Sequence, residues 1–270
     1  LYITINGNFE NNNIWRPHTT ELSGTNDHNI SLVTGKSFGG KILVNGSNLN
    51  ALSDLYFTCD FINEGTPARD HFRLNGNTLN LGNHSIELHK DCLINSGKLV
   101  GDFEIVGTFT VGWADGYNIT DTLLFIGDIS VTDILCGNEY GGGDGIFSLK
   151  IIWSITNNGV IKNDYDSDNP LNNDDLKINI TGDIYNYGAW ECNFTNLIGT
   201  SYQRIYQETG KYFDSYLTFS NPSGDIRALT DITVTKDINL GGCTLDMDDH
   251  TLNIQGWLSN GFLKRAYLNN

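Results

Sequence analysis

Four aspartates hold the sharpest chemical pattern in this chain. Asp164, Asp166, Asp168 and Asp175 stand at positions 1, 3, 5 and 12 of a loop, with the apolar Leu171 at position 8. Hard Ca²⁺ is bound by such clustered carboxylate oxygens on a segment that can wrap it, so the spacing predicts a calcium loop. Two departures stand beside it. Asn169 replaces the turn glycine of an EF-hand-like loop, and Asp175 replaces its bidentate glutamate. The competing reading is a solvated acidic bulge.

Other candidate sites read more plainly. Asp248-Asp249-His250 could supply acid/base chemistry or a polysaccharide-cleaving pair. The matching turn Gly82-Asn83-His84 lacks both carboxylates, so His84 and His250 are expected to serve the turn itself. Gly141-Gly142-Gly143-Asp144-Gly145 has no Lys-Ser/Thr after it and is a loop, not a phosphate cradle. Trp15, Trp113, Trp190 and Trp257, with Tyr185, Tyr187, Tyr202, Tyr206, Tyr212 and Tyr216, are candidate platforms for sugar rings. The paired placement of Trp15 and Trp190 favours a core or corner role. No catalytic set emerges, and a non-enzymatic protein is expected.

Composition narrows the partners. The 270 residues carry 16 basic and 32 acidic side chains, a formal charge of −16. Such a surface repels phosphate backbones, and no basic cluster offsets it, so no nucleic-acid partner is expected. No apolar run has the length of a membrane span, so no membrane insertion is expected. Cys59, Cys92, Cys136, Cys192 and Cys243 show no C-x-x-C spacing. They read as small buried hydrophobes, with disulfide pairing left open for an extracellular chain.

The elements that would position these residues are short strands. Sustained helical spacing is missing, while apolar runs of four to six residues recur, nearly all closed by Gly or Asn. The chain also repeats itself. Leu1–Phe9 returns as Leu176–Ile184, and the match continues through Trp15/Trp190, Thr20/Thr195, Gly35-Lys36/Gly210-Lys211 and Phe38/Phe213. A shorter motif appears as Phe9-x-Asn11-x-Asn13-Ile14-Trp15, Ile155-x-Asn157-x-Gly159 and Ile184-x-Asn186-x-Gly188. The last two copies lie 29 residues apart, a plausible length for one coil. Asn side chains at such turns are expected to stack into ladders that satisfy turn amides.

These patterns predict an all-β right-handed parallel β-helix, a β-solenoid of about eleven coils stacked at about 4.8 Å. One elongated domain over 1–270 is expected, with repeats at about 1–100 and 176–270 linked by 101–175. An antiparallel β-sandwich array is the alternative, since Asn45-Gly46 and Asn75-Gly76 also suit hairpins.

The segments Ile178–Trp190 and Leu229–Ile254 resemble repeats of large secreted bacterial surface proteins, the adhesin-like right-handed parallel β-helices. The resemblance implies secretion, an extracellular or cell-surface location and a structural role as a fibre, filament or adhesin stalk. It implies no catalytic residue. Both ends read as uncapped, so self-association end to end is expected. A glycan-binding adhesin module is the alternative, and a polysaccharide-active β-helix enzyme a more distant one.

Overall fold

The computed structural model describes residues 1–58, 71–74, 77–88, 93–95, 97–113, 123–139, 146–164, 175–221 and 225–269. The described chain is all-β and contains no helix. Every pairing between its named strands is parallel, as in Tyr2–Ile5 on Thr19–Ser23 and Phe9–Asn11 on His28–Leu32. That overturns the antiparallel sandwich alternative. The Asn-Gly turns suited hairpins locally, but strands that return every 20 residues or so pair with the previous return instead.

The strands fall into three ladders, which the chain visits in rotation. Ladder I holds Tyr2–Ile5, Thr19–Ser23, Lys41–Asn45 and their successors through Val160–Asp164 to Tyr267–Asn269. Ladder II is a sheet of twelve strands from Phe9–Asn11 to Leu258–Ser259. Ladder III runs from Trp15 and Phe38 through Leu55–Phe57 and Ile155–Asn157 to Phe262–Lys264. The long strand Phe103–Trp113 joins two of them. Its first half pairs in ladder III and its second half in ladder I, with Gly107 at φ 69° between. The arrangement is compatible with a β-solenoid. The step from rung to rung is uneven, 17 residues between Ile180 and Leu197 but 30 between Leu49 and Leu79.

Alternation along each short strand turns one set of side chains inward, and the register stacks them. Leu79, Leu99, Phe125, Ile151, Ile180 and Leu197 form one buried column in ladder II. Phe109, Leu135, Ile161 and Trp190 form another in ladder I, continued by Phe213, Val234 and Ile254. The ladders meet across one core. Phe57 of ladder III stacks on Phe72 of ladder I at 4.6 Å, and Phe125 of ladder II meets Phe103 at 5.2 Å and Phe109 at 5.7 Å. Each fully buried Leu, Ile or Phe contributes about 1.5–3 kcal/mol of transfer free energy, so the columns are the main source of cohesion.

The expected 29-residue coil is present. Ile155 pairs with Ile184, Asn157 with Asn186, and Ile161 with Trp190. The two asparagines are fully buried. Asn157 Nδ2 donates to Asn186 Oδ1 at 2.9 Å and to the Ala189 carbonyl at 2.8 Å, while its Oδ1 accepts from the Gly159 amide. The glycine of the motif is a matter of space. A Cβ on Gly188 would sit 2.0 Å from the carbonyl oxygen of Gly159 in the rung below.

The long repeat is also real in three dimensions. Trp15 Nε1 donates to Thr20 Oγ1 at 2.9 Å, and Trp190 Nε1 to Thr195 Oγ1 at 2.8 Å. Trp15 bridges to Phe38 as Trp190 bridges to Phe213. The copies do not occupy the same ladders, however. Tyr2–Ile5 lies in ladder I, whereas its counterpart in Asp175–Ile180 lies in ladder II. Trp15 lies in ladder III and Trp190 in ladder I. The repeat is therefore a whole number of circuits plus one face.

Two substitutions test the buried asparagine column. Asn157→Ala removes the side-chain donor to the Ala189 carbonyl and to Asn186 Oδ1 and should cost about 2 kcal/mol. Gly188→Ala should cost about 1–3 kcal/mol by forcing stacked turns apart. Urea unfolding followed by circular dichroism reads both. An unchanged midpoint for either variant would show that these turns are held by something else.

Candidate functional site

The turns, not the strands, carry the side-chain chemistry. At the entrance to ladder III an oxygen in one rung accepts an amide from the next. Asp102 Oδ1 accepts from Asp128 N at 2.9 Å, Asp128 Oδ1 from Ser154 N at 3.1 Å, Ser154 Oγ from Asp183 N at 3.1 Å, and Asp183 Oδ1 from Arg204 N at 2.7 Å. Asp231 does the same for Thr251 N and Asp237 for Trp257 N. Several of the aspartates are thus acceptors for backbone amides at the turns.

Asp183 also holds Arg204, with Nε at 2.8 Å and Nη2 at 2.6 Å from Oδ2. Further along, Asp246 takes Arg265 through Nε at 2.9 Å and Nη2 at 2.6 Å, and Lys264 Nζ at 3.4 Å. Asp248 takes Arg227, and Arg265 Nη1 at 2.6 Å. The Arg265 hydrogen bonds hold the Asp246 carboxyl far below the usual carboxylate range, and the Arg227 hydrogen bonds lower that of Asp248. Neither has a proton to give near neutral pH. The Asp248-Asp249-His250 pattern thus resolves into a clasp between rungs, with Asp248 and Asp249 at φ 49° and 67°.

The structure does not bring the calcium loop together for inspection. Asp164 ends the strand Val160–Asp164 and Asp175 opens Asp175–Ile180, while Asp166 and Asp168 lie outside the described residues. The Gly141–Gly145 loop lies outside them too. Among the described residues no group of three or more His, Cys, Asp or Glu is placed to hold a metal ion.

Cys136, Cys192 and Cys243 are buried, as small hydrophobes would be. Burial pushes the Cys192 thiol up from its ordinary value. Cys59 and Cys92 lie outside the described residues. Trp190 is fully buried edge-on to Phe213, so it is core and no sugar platform. Tyr187, Tyr202, Tyr212, Tyr216 and Trp257 are exposed.

One arrangement occurs twice. Lys36 N donates to the Val33 carbonyl at 3.0 Å, closing a Thr34-Gly35-Lys36 turn with Gly35 at φ 76°. Lys211 N donates to the Glu208 carbonyl at 3.0 Å, closing Thr209-Gly210-Lys211 with Gly210 at φ 82°. Beside the first turn, Asp54 Oδ1 accepts from Ser85 N at 2.8 Å and lies 3.6 Å from His84 Nδ1. Beside the second, Asp231 Oδ1 accepts from Thr251 N at 2.7 Å and lies 3.8 Å from His250 Nδ1. Each set lines an open groove, of about 520 Å³ at the first and about 510 Å³ at the second.

Sequence reasoning matched Gly35-Lys36 with Gly210-Lys211 and His84 with His250, but missed Asp54 and Asp231. The signal was present. Insertions between the aligned blocks shift the offset from 175 to 177 at the aspartates. His84 and His250 do serve equivalent turns, donating their amides to Leu81 and Met247 at 2.9 and 2.8 Å.

No family model matches this chain, and no curated protein or solved structure matches it.

The clasp predicts an acid-sensitive end. Asp246 and Asp248 have depressed values when folded, so their stabilisation is complete above the unfolded carboxylate value of about 3.9. It is lost as pH falls below that toward the folded values. Protection factors at Asp225–Lys264, taken relative to the intrinsic exchange rate at each pH, should be high at pH 6 and fall below about pH 4, ahead of the ladder II columns. Arg265→Met should shrink the difference, with Arg227 still holding Asp248. Equal protection at both pH values would sink the clasp.

Proposed function

We propose that the three ladders close around their shared core into a right-handed parallel β-helix, and that the protein works as an extracellular structural rod. The observation that carries this reading is the fixed rotation through three parallel ladders, sustained for twelve rungs of ladder II. Cohesion in such a stack runs along one axis, from each rung to its neighbours. What the fold provides is length and side surface.

The resemblance to adhesin-like repeats of secreted surface proteins supports placing the rod outside the cell, as a fibre, filament or stalk segment. Unpaired ladder edges pair readily with further strand, and end-to-end association of copies is the form we propose. An acidic surface keeps rods apart laterally while their ends join. The Asp164–Asp175 segment is the proposed calcium loop.

Electron microscopy of the purified protein, with immunogold labelling of the cells that make it, tests the reading. Twelve rungs at about 4.8 Å give rods of roughly 55 Å per copy. Label should fall outside the cell, on extended material. Round particles with no axial repeat near 4.8 Å, or label confined to the cell interior, would overturn it. Chelation should leave single rods intact and change only the Asp164–Asp175 side.

A further inference from the structure

The duplicated groove goes beyond the rod reading. Its two copies share more than the lysine turn and the Asp–His pair. The floor is also duplicated: Ser53 Oγ accepts the Leu32 amide at 2.8 Å, and Thr230 Oγ1 accepts the Gln207 amide at 2.9 Å. The histidine side chains are 38% and 36% exposed and the aspartates 73% and 66%, so the polar heads are presented alike. Meanwhile the rim has changed. Val33, Tyr56 and Glu87 of the first groove stand where the second has Glu208, Thr233 and Asn253.

Packing accounts for many matched positions of the two repeats, such as Trp15/Trp190 and Phe38/Phe213. Gly35 and Gly210 are explained by their positive φ. The aspartates are explained by the amides that they accept. The packed core gives no reason for Lys36/Lys211 and His84/His250, which line an open groove in each copy.

We propose that the two grooves are twin sites for a neutral saccharide. The shared frame combines a carboxylate that only accepts, an ammonium that only donates, and imidazole and hydroxyl groups that do either. A sugar ring, with hydroxyls acting as donor and acceptor at once, matches that mixture. One tyrosine lines each groove, Tyr56 in the first and Tyr212 in the second, offering an apolar face with a polar tip. Charge selects against an acidic sugar. Lys36 shares its groove with Asp54 and Glu87, and Lys211 with Asp231 and Glu208, within a chain of net charge −16.

The repeat geometry also fixes how the sites are displayed. The first groove lies at the turns from ladder II to ladder III, the second at those from ladder III to ladder I. Seven circuits separate them, about 35 Å along the stack at about 4.8 Å per rung. One rod therefore presents two sugar sites on adjacent edges, well beyond the reach of a single small oligosaccharide.

The test uses the purified protein on an array of neutral and acidic oligosaccharides, followed by calorimetric titration with the neutral glycan that binds best. Two sites per chain are expected, with unequal affinities because the rims differ. Lys36→Ala and Lys211→Ala should each weaken one site about tenfold or more and leave the other intact. His84→Ala and His250→Ala should do the same, and all four should keep the wild-type circular dichroism. Silence across the neutral glycans, preference for acidic ones, or binding that survives in the Lys36→Ala/Lys211→Ala double variant would each overturn the proposal. None of those results bears on whether the protein is a rod.

Discussion

Parallel rungs can stack only if each turn satisfies the backbone groups that the strands release. A strand passes its amides to the ladder, but at a turn the chain leaves that ladder and its amides need another acceptor. This protein supplies one from the adjoining rung. The series Asp102, Asp128, Ser154, Asp183 shows the device most clearly, each oxygen taking the amide of the next rung. Asn157 performs the same task from inside the core, reaching the Ala189 carbonyl and its own Gly159 amide. Everything else follows from turns held at strand spacing: the columns of Ile, Leu and Phe, the glycines where stacked turns nearly touch, and the parallel register itself.

That constraint also reinterprets the charge. Read alone, 32 acidic residues suggest a surface shaped by solubility or cation binding. In the fold, several of those carboxylates are acceptors for amides of the adjoining rung, and Asp183, Asp246 and Asp248 hold arginines. An aspartate at a turn is a hydrogen-bonding part before it is a charge. Acid chemistry is correspondingly muted where the sequence placed it, at Asp248-Asp249-His250, because arginine hydrogen bonds keep Asp248 ionised.

The strands and the 29-residue coil were legible because alternation and turn residues are local signals, and Asn157 and Asn186 repeat at the same step as their strands. The parallel pairing was legible only through the repeats, since Asn45-Gly46 taken alone fits a hairpin equally well. The uneven circuits were not legible. A long connection such as the one from Phe57 to His71 changes the length of a circuit without disturbing the stack, so no single period fits the chain. The change of ladder between repeats was hidden for a related reason. Self-similarity shows which residues correspond but not how many faces separate them. The grooves lay in the same blind spot: Lys36, Asp54 and His84 come from three successive circuits, and only the stack makes them neighbours.

Two origins can explain a groove that occurs twice, and they leave different traces. Duplication alone copies everything and then lets each position drift as far as packing permits. The rim has drifted, from Val33 to Glu208 and from Tyr56 to Thr233, and the strands around it have moved to different ladders. Against that background an unchanged buried tryptophan is unsurprising, because its loss would open a cavity. Lys36 and Lys211 are half-buried beside open grooves and lie outside the packed core. With His84 and His250 they line an open groove in both copies, and on the proposed reading that shared lining is what a ligand would meet.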